Sequence, residues 1–260
     1  MVLWLEKFKI GKKGIKGNWQ IGKLNFKREI KEKKIPTQGI FGIKIGVFPL
    51  VFLLGLCTPL FATLTDDGFN LKIGGGEVEV PIGKGYSTIN ISNGKLVLTG
   101  SNRVSYLKSY NSDLEVKKGC TISYLEGTLS KFLIKNSRIS AILLKFHSMG
   151  KISNTTTASI SITDTNLSII GGIVASLIVG KGATATISDV NFSNQGYSAV
   201  KVAYLRPGQI IVYPSGRLII DGKYTLSDSQ INIKYSDGSS TTARILFLKG
   251  ATPETTLSSR

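Results

Sequence analysis

The sequence predicts an all-β solenoid that follows an amino-terminal signal or anchor segment. Three observations predict it. A short phrase recurs along the chain, the runs between its copies alternate apolar and polar residues, and a basic stretch followed by a charge-free apolar stretch precedes them all.

The phrase is clearest as Ile162-Thr-Asp-Thr-Asn-Leu-Ser168 and Ile187-Ser-Asp-Val-Asn-Phe-Ser193. Looser copies begin at Ile91, Ile134 and Leu226. Each reads apolar, polar, Asn/Asp-centred turn, apolar, polar. A period of about 20 to 30 residues marks repeats that bury a face only by stacking on their neighbours. The step from Ile162 to Ile187 falls in that range. The sequence therefore predicts coils of about 25 residues with Ile162 and Ile187 stacked and facing inward.

From the amino terminus, residues 1–44 are basic, and 1–38 show no strong periodicity, so this segment is expected to be poorly ordered. Next comes Ile45-Gly-Val-Phe-Pro-Leu-Val-Phe-Leu-Leu-Gly-Leu56, without a charge, and then Cys57-Thr-Pro-Leu-Phe-Ala62. Positive, apolar and small-residue zones in that order predict a secretory signal peptide over 45–62. Retention as an anchor over 45–64 is the alternative, since a bilayer span wants about 20 residues. Either way the downstream part is exported and the basic part stays inside.

Residues 63–250 form the solenoid domain, and 251–260 read as a flexible tail. Glu77-Val-Glu-Val-Pro81, Ser87-Thr-Ile-Asn-Ile-Ser92, Lys95-Leu-Val-Leu-Thr99, Ala158-Ser-Ile-Ser-Ile-Thr163 and Gln230-Ile-Asn-Ile-Lys234 alternate as half-buried strands do. A β-sandwich is the competing architecture, because Asn93-Gly94 and Asp221-Gly222 are hairpin signals. A sandwich has no reason to reuse one turn at a fixed interval, which favours the coil.

Charge narrows the function. The formal net charge is +17, but residues 1–62 carry 12 Lys/Arg against three acids, leaving +8 spread over everything downstream. A nucleic-acid reader concentrates its charge in a stripe or a motif, so no nucleic-acid partner is expected. Of the two cysteines, Cys57 lies in the leader and Cys120 stands alone as a small hydrophobe. His147 is the sole histidine, which excludes a histidine triad or a multi-His metal site within the chain. Gly74-Gly-Gly76 lacks the Lys-Ser/Thr of a phosphate loop. No metal or cofactor is expected.

Over residues 85–235 the chain resembles the right-handed parallel β-helix families, the pectate-lyase-like and adhesin-like solenoids. The resemblance rests on Ile187-Ser-Asp-Val-Asn-Phe-Ser193 with Gly196-Tyr-Ser-Ala-Val-Lys-Val202 downstream. It implies that enzymatic members degrade acidic polysaccharides with clustered Asp residues, calcium and basic residues. The matching candidates here are Asp164, Asp189 and Asp228, one per copy of the phrase, with Arg206 in Leu205-Arg-Pro-Gly208. The competing reading is stronger: Asn93 and Asn136 occupy the same slot, and Asn and Asp share a role in turns rather than in catalysis.

The first expectation is therefore a non-enzymatic exported surface, adhesive or structural protein that contacts a polysaccharide or another cell-surface ligand. A polysaccharide lyase or glycoside hydrolase of β-helix type is the alternative. A subunit of an extracellular filament, self-associating through an open solenoid end, is the second. Membrane contact is expected only through residues 45–64, if these are not cleaved.

Overall fold

The computed structural model describes residues 63–194 and 207–260, together with the backbone of three amino-terminal strands, β1 (Lys9–Gly11), β2 (Gly14–Ile21) and β3 (Leu24–Glu29). The chain divides into two units, Met1–Pro59 and Leu60–Arg260. In the first, β1, β2 and β3 pair antiparallel in sequence order, over residues in which the sequence shows no periodicity. Residues 45–62, on which the export reading rests, and Arg206 lie outside the described residues.

The second unit is a β-solenoid of about seven turns. Its regular part runs through β5 (Asn70–Val80), β6 (Gly85–Leu98), β7 (Arg103–Tyr110), β8 (Asp113–Val116), β9 (Thr121–Thr128), β10 (Lys131–Lys135), β11 (Arg138–Lys145), β12 (Met149–Ile162), β13 (Asn166–Val179) and β14 (Thr184–Ser188). All of these pair parallel, and none with its own coil. Thr121 lies between Arg103 and Arg138, so one coil advances the numbering by 18 and the next by 17 (121 − 103; 138 − 121). The coil is shorter than expected, and the sandwich alternative is absent here because its strands would pair antiparallel.

Pairing skips one position per coil at Ser105, Ser123, Ser140 and Ala158, where the strand bends. Each coil thus has three faces. Face 1 is the short run Arg103-Val104 and its equivalents, face 2 begins at Tyr106 and face 3 is the β8–β10 level. Side chains alternate in and out along each run because the strand period is two. The inward ones stack in columns: Val104, Ile122, Ile139, Thr157 and Val174 under face 1, Leu107, Leu125, Ile142, Ile160 and Leu177 under face 2, and Val116, Ile134, Ile152, Ile169 and Ile187 under face 3. Burying one such side chain contributes about 1.5–3 kcal/mol, and only the neighbouring coils provide the cover.

Volume is matched within and between coils. Phe132 is 4% exposed, and its ring fills the space left by Gly127, where an added Cβ would collide with it. Gly150, one coil further on, makes room for its Cβ. Buried serines settle the polar accounts at the corner between faces 2 and 3. Ser112 Oγ donates to the Tyr110 carbonyl (2.7 Å) and accepts from the Gly94 amide (3.3 Å). Ser130 repeats this with the Thr128 carbonyl (2.8 Å) and the Ser112 amide (3.2 Å). Buried polar groups must be paired this way.

The recurrent phrase proves to be a corner. Asn93, Asn136, Asp164, Asp189 and Asp228 all have left-handed backbone, with φ of 54°, 48°, 50°, 53° and 50°. Asn and Asp are the non-glycine residues that best tolerate this region. The copies do not sit at one corner, however. Ile162 closes face 2 and pairs with Leu144 and Val179, whereas Ile187 closes face 3 and pairs with Ile169 and Ile220. The predicted stacking of Ile162 on Ile187 is therefore wrong, although both face inward at 0% exposure. The interval between the two phrases is one coil, from Ile162 to Val179, plus the further stretch from Val179 to the next corner at Ile187.

Both ends are finished differently from the middle. β4 (Thr63–Asp66) pairs antiparallel with β5 and covers its face 2 edge, while Tyr86 Oη donates to Asp66 (2.9 Å). At the other end, β15 (Asn191–Phe192), β16 (Gly208–Val212) and β17 (Arg217–Ile220) continue the coil, β20 (Ser240–Phe247) extends it in parallel with β16, and β18 (Gly222–Ser227) and β19 (Gln230–Tyr235) add antiparallel strands beside β20. Ile231, Ile233 and Tyr235 are buried beneath them. Residues 251–260, expected as a flexible tail, instead form a helical turn (Pro253–Thr256) and β21 (Leu257–Ser259), which pairs with β17 and buries Leu257.

Candidate functional site

The outward side of face 3 carries a groove of about 760 Å³ running from Lys95 to Ile219. Its position follows from the register. Outward positions one coil apart stand about 4.8 Å apart, so residues distant in sequence become neighbours in a column. One column reads Glu77, Lys95, Asp113, Lys131, Met149, Asn166, Thr184, Arg217. The next reads Glu79, Val97, Glu115, Leu133, Lys151, Ser168, Thr186, Ile219.

The groove has two chemistries. Toward the amino terminus opposite charges alternate coil by coil: Lys95 Nζ lies 2.7 Å from Glu77, which holds the Lys95 ammonium above its usual range. Lys95, Asp113 and Lys131 continue the alternation on successive strands. Opposite charges facing each other across strands attract, so this half has a structural use for its charges. Toward the carboxyl terminus the lining turns to amide and hydroxyl groups, Asn166, Ser168, Thr184 and Thr186, bordered by Lys151 and Arg260. The floor between them is apolar at Leu133 and Met149. Such a surface offers donors and acceptors at a regular spacing to an extended hydroxylated or anionic chain.

The three described candidate carboxylates do not converge. Asp164 and Asp189 close opposite ends of face 3, a full strand run apart, which is roughly 20 Å. Paired carboxylates in glycoside hydrolysis stand about 5–10 Å apart. Asp164 contacts His147 (Nδ1 to Oδ2, 3.3 Å) on the coil before it. Asp189, itself exposed, accepts from Ser239 Oγ (2.9 Å) in the turn between β19 and β20. Asp228 turns the β18–β19 hairpin. None of the three lines the groove. The Asp164 and Asp189 side chains reach across to other turns and do not fold back on their own turn amides; it is the backbone conformation that the turn requires of them.

Cys120 is 1% exposed, its Sγ 3.1 Å from the Gly100 carbonyl, and burial pushes its thiol up. That environment suits a packing residue and works against thiolate formation. Among the described residues no group of three His, Cys, Asp or Glu side chains is placed to hold a metal. The groove was missed in the sequence because its columns become visible only when the chain is read in steps of one coil.

Compared with family models, curated proteins and solved structures, the chain has no significant match.

Proposed function

We propose that the protein is exported through its basic and apolar leader and acts outside the cytoplasm as a non-enzymatic surface or structural solenoid that holds a polysaccharide along face 3. The observation that carries this reading is the groove, with hydroxyl, amide and ammonium groups repeated along the coil axis over an apolar floor. A polymer that repeats along its own axis gains many weak contacts on such a surface, and their sum grows with the length engaged. The excess of Lys over acids toward Lys151 and Arg260 favours an acidic polymer. The resemblance to adhesin-like and pectate-lyase-like solenoids, with right-handed winding, belongs to the same proposal.

Growth into a filament through the solenoid ends has less support. The exposed amino-terminal edge, Gly76–Val80 with Pro81, presents Glu77 and Glu79, and β4 covers the adjoining edge. Charge, proline and a covering strand are the usual guards against edge-to-edge addition.

The test has two parts. The full chain with a carboxy-terminal tag is expected outside the cytoplasmic fraction, and deletion of residues 1–62 is expected to keep it inside. Full chain retained on an immobilised polyuronate is expected to be released by salt, and Lys131→Ala with Lys151→Ala to weaken retention several-fold, as the Debye length of about 8 Å at physiological salt would dictate for exposed charges. Cytoplasmic retention of the intact chain, or retention indifferent to both lysines, would overturn the reading.

A further inference from the structure

Face 2 holds a second feature, independent of the face 3 groove and of the export proposal. Tyr106 and Tyr124, one coil apart in register, stack with ring centroids 5.1 Å apart and planes within 4°. The spacing is close to that of the strands, so the rings lie one above the other along the coil axis. Both are partly exposed. Tyr106 Oη donates to Glu126 Oε2 (2.6 Å), and Lys145 Nζ approaches the other carboxylate oxygen (3.7 Å). The hydrogen bond from Tyr106, with Lys108 and Lys145 nearby, holds the Glu126 carboxyl below its usual range.

The column then stops. The residues in register after Tyr124 are Ala141, Ser159 and Ser176, all small and all partly exposed. One face of Tyr124 is therefore turned toward a coil that supplies no third ring. Beside this step the next outward column runs Glu126, Leu143, Ser161.

We infer that the end of the tyrosine stack, above Ala141, is a saccharide subsite in which one pyranose ring of a polysaccharide takes the place of a third aromatic residue. A pyranose has one face of C–H groups that packs on an aromatic face, and hydroxyls around its rim. Tyr124 supplies the platform, Leu143 an apolar side, and Ser159, Glu126 and Lys145 the polar partners for those hydroxyls. The platform is preorganised, because Tyr106 is pinned through Glu126 and holds Tyr124 by stacking, so little rotamer freedom is lost on binding. A nucleobase would find the same platform, but a thymine ring brings a single N–H donor to the Glu126 carboxylate, which the several hydroxyl donors of a pyranose suit better.

The test is calorimetric titration of the full chain with two probes, a β-1,4-linked glucose hexamer and a galacturonic acid hexamer, which separate a neutral from an acidic source of the same ring. Binding of at least one is expected. Ala141→Tyr, which extends the stack into the subsite, is expected to keep the melting temperature and weaken binding at least about tenfold, the scale of one lost stacking contact. Tyr124→Ala, also at an outward position, is expected to do the same, so the conclusion survives if one variant folds poorly. Three results would overturn the inference: neither hexamer binds, both variants bind as the parent does, or only Lys151→Ala in the face 3 groove weakens binding. Equal or tighter binding of an oligothymidylate would do so as well.

Discussion

The coils from β6 to β14 and the segment from β15 to the carboxyl terminus solve one packing problem with different freedom. In the first, partners on successive coils are offset by 17 or 18 in sequence. In the second the same ladders continue, but Thr184 pairs with Arg217 and Leu218 with Leu257, offsets about twice as large (217 − 184 = 33; 257 − 218 = 39). The inward columns hardly notice: Ala185, Leu218 and Leu257 stack as Leu96, Leu114 and Phe132 do. The extra chain leaves and returns at corners, as the Ser193–Pro207 bridge shows. The solenoid therefore demands register within a face and tolerates length between faces.

The largest effect expected from this contrast is that of a single deletion. Removing Ile142 from β11 shifts the rest of that face 2 run by one place and turns its inward residues outward. Leu143 then takes the inward place of Ile142, but Leu144 turns out and Lys145 turns in; the lost packing and the buried charge together cost several kcal/mol, a large share of the about 5–15 kcal/mol that holds a domain folded. Loss of the cooperative thermal transition is the expected result, followed by circular dichroism. The matching change outside the faces is one extra glycine after Gly238, in the hairpin turn from β19 to β20, where even a Cβ on Gly238 would meet no neighbouring atom. Lengthening such a loop costs little, and the midpoint is expected to stay within a few degrees. Similar losses from both changes would break the comparison.

The next effect is local. Phe132→Ala is expected to cost about 3–5 kcal/mol, measured by urea unfolding. The reason for choosing Phe132 is its fit to Gly127 on its own coil and to Gly150 on the next. That fit makes a sharper demand: Gly127→Ala should destabilise the parent but cost less when Phe132 is replaced by Leu. Residues in contact couple in this way, whereas independent sites simply add. Additive values would mean that the small-against-large match inside the coil is not what sets the size of these side chains.

How far the sequence led depended on which signal was followed. Alternation in β6, β12 and β19 was enough for an all-β chain, and the interchange of Asn and Asp at the phrase's third position correctly announced a turn. The interval between phrases misled, because the left-handed corner is needed at more than one place in each coil and the distance between two corners is not the period. The true period was available in Val104-Ser105, Ile122-Ser123 and Ile139-Ser140, and in Ser112, Ser130 and Ser148. These serines sit at bends and buried corners where a small or hydrogen-bonding residue is required once per coil. Neither the groove nor the tyrosine step could be found without that period. Their residues come from separate strands and acquire neighbours only once the register is known.

The smallest effect runs in the opposite direction. The regular coils, for all their uniformity, contain a buried side-chain oxygen without a hydrogen-bond partner, Thr157 Oγ1, and it is the sole case among the described residues. Thr157 is 0% exposed in the face 1 column between Ile139 and Val174. Elsewhere in the core, inward hydroxyls such as Ser130 and Ser137 reach carbonyls at the corners. On the short run of face 1, beside the bend at Ala158, the hydroxyl of Thr157 finds no acceptor. An unpaired buried hydroxyl costs about 1–3 kcal/mol, while an apolar group of the same shape at that place costs nothing of the kind. Thr157→Val is therefore expected to stabilise the protein by about 1 kcal/mol, seen as a higher urea midpoint at unchanged slope. A lower midpoint would mean that the hydroxyl has a partner after all, and that even the flat faces of these coils accept polar groups on terms that the corners were thought to reserve.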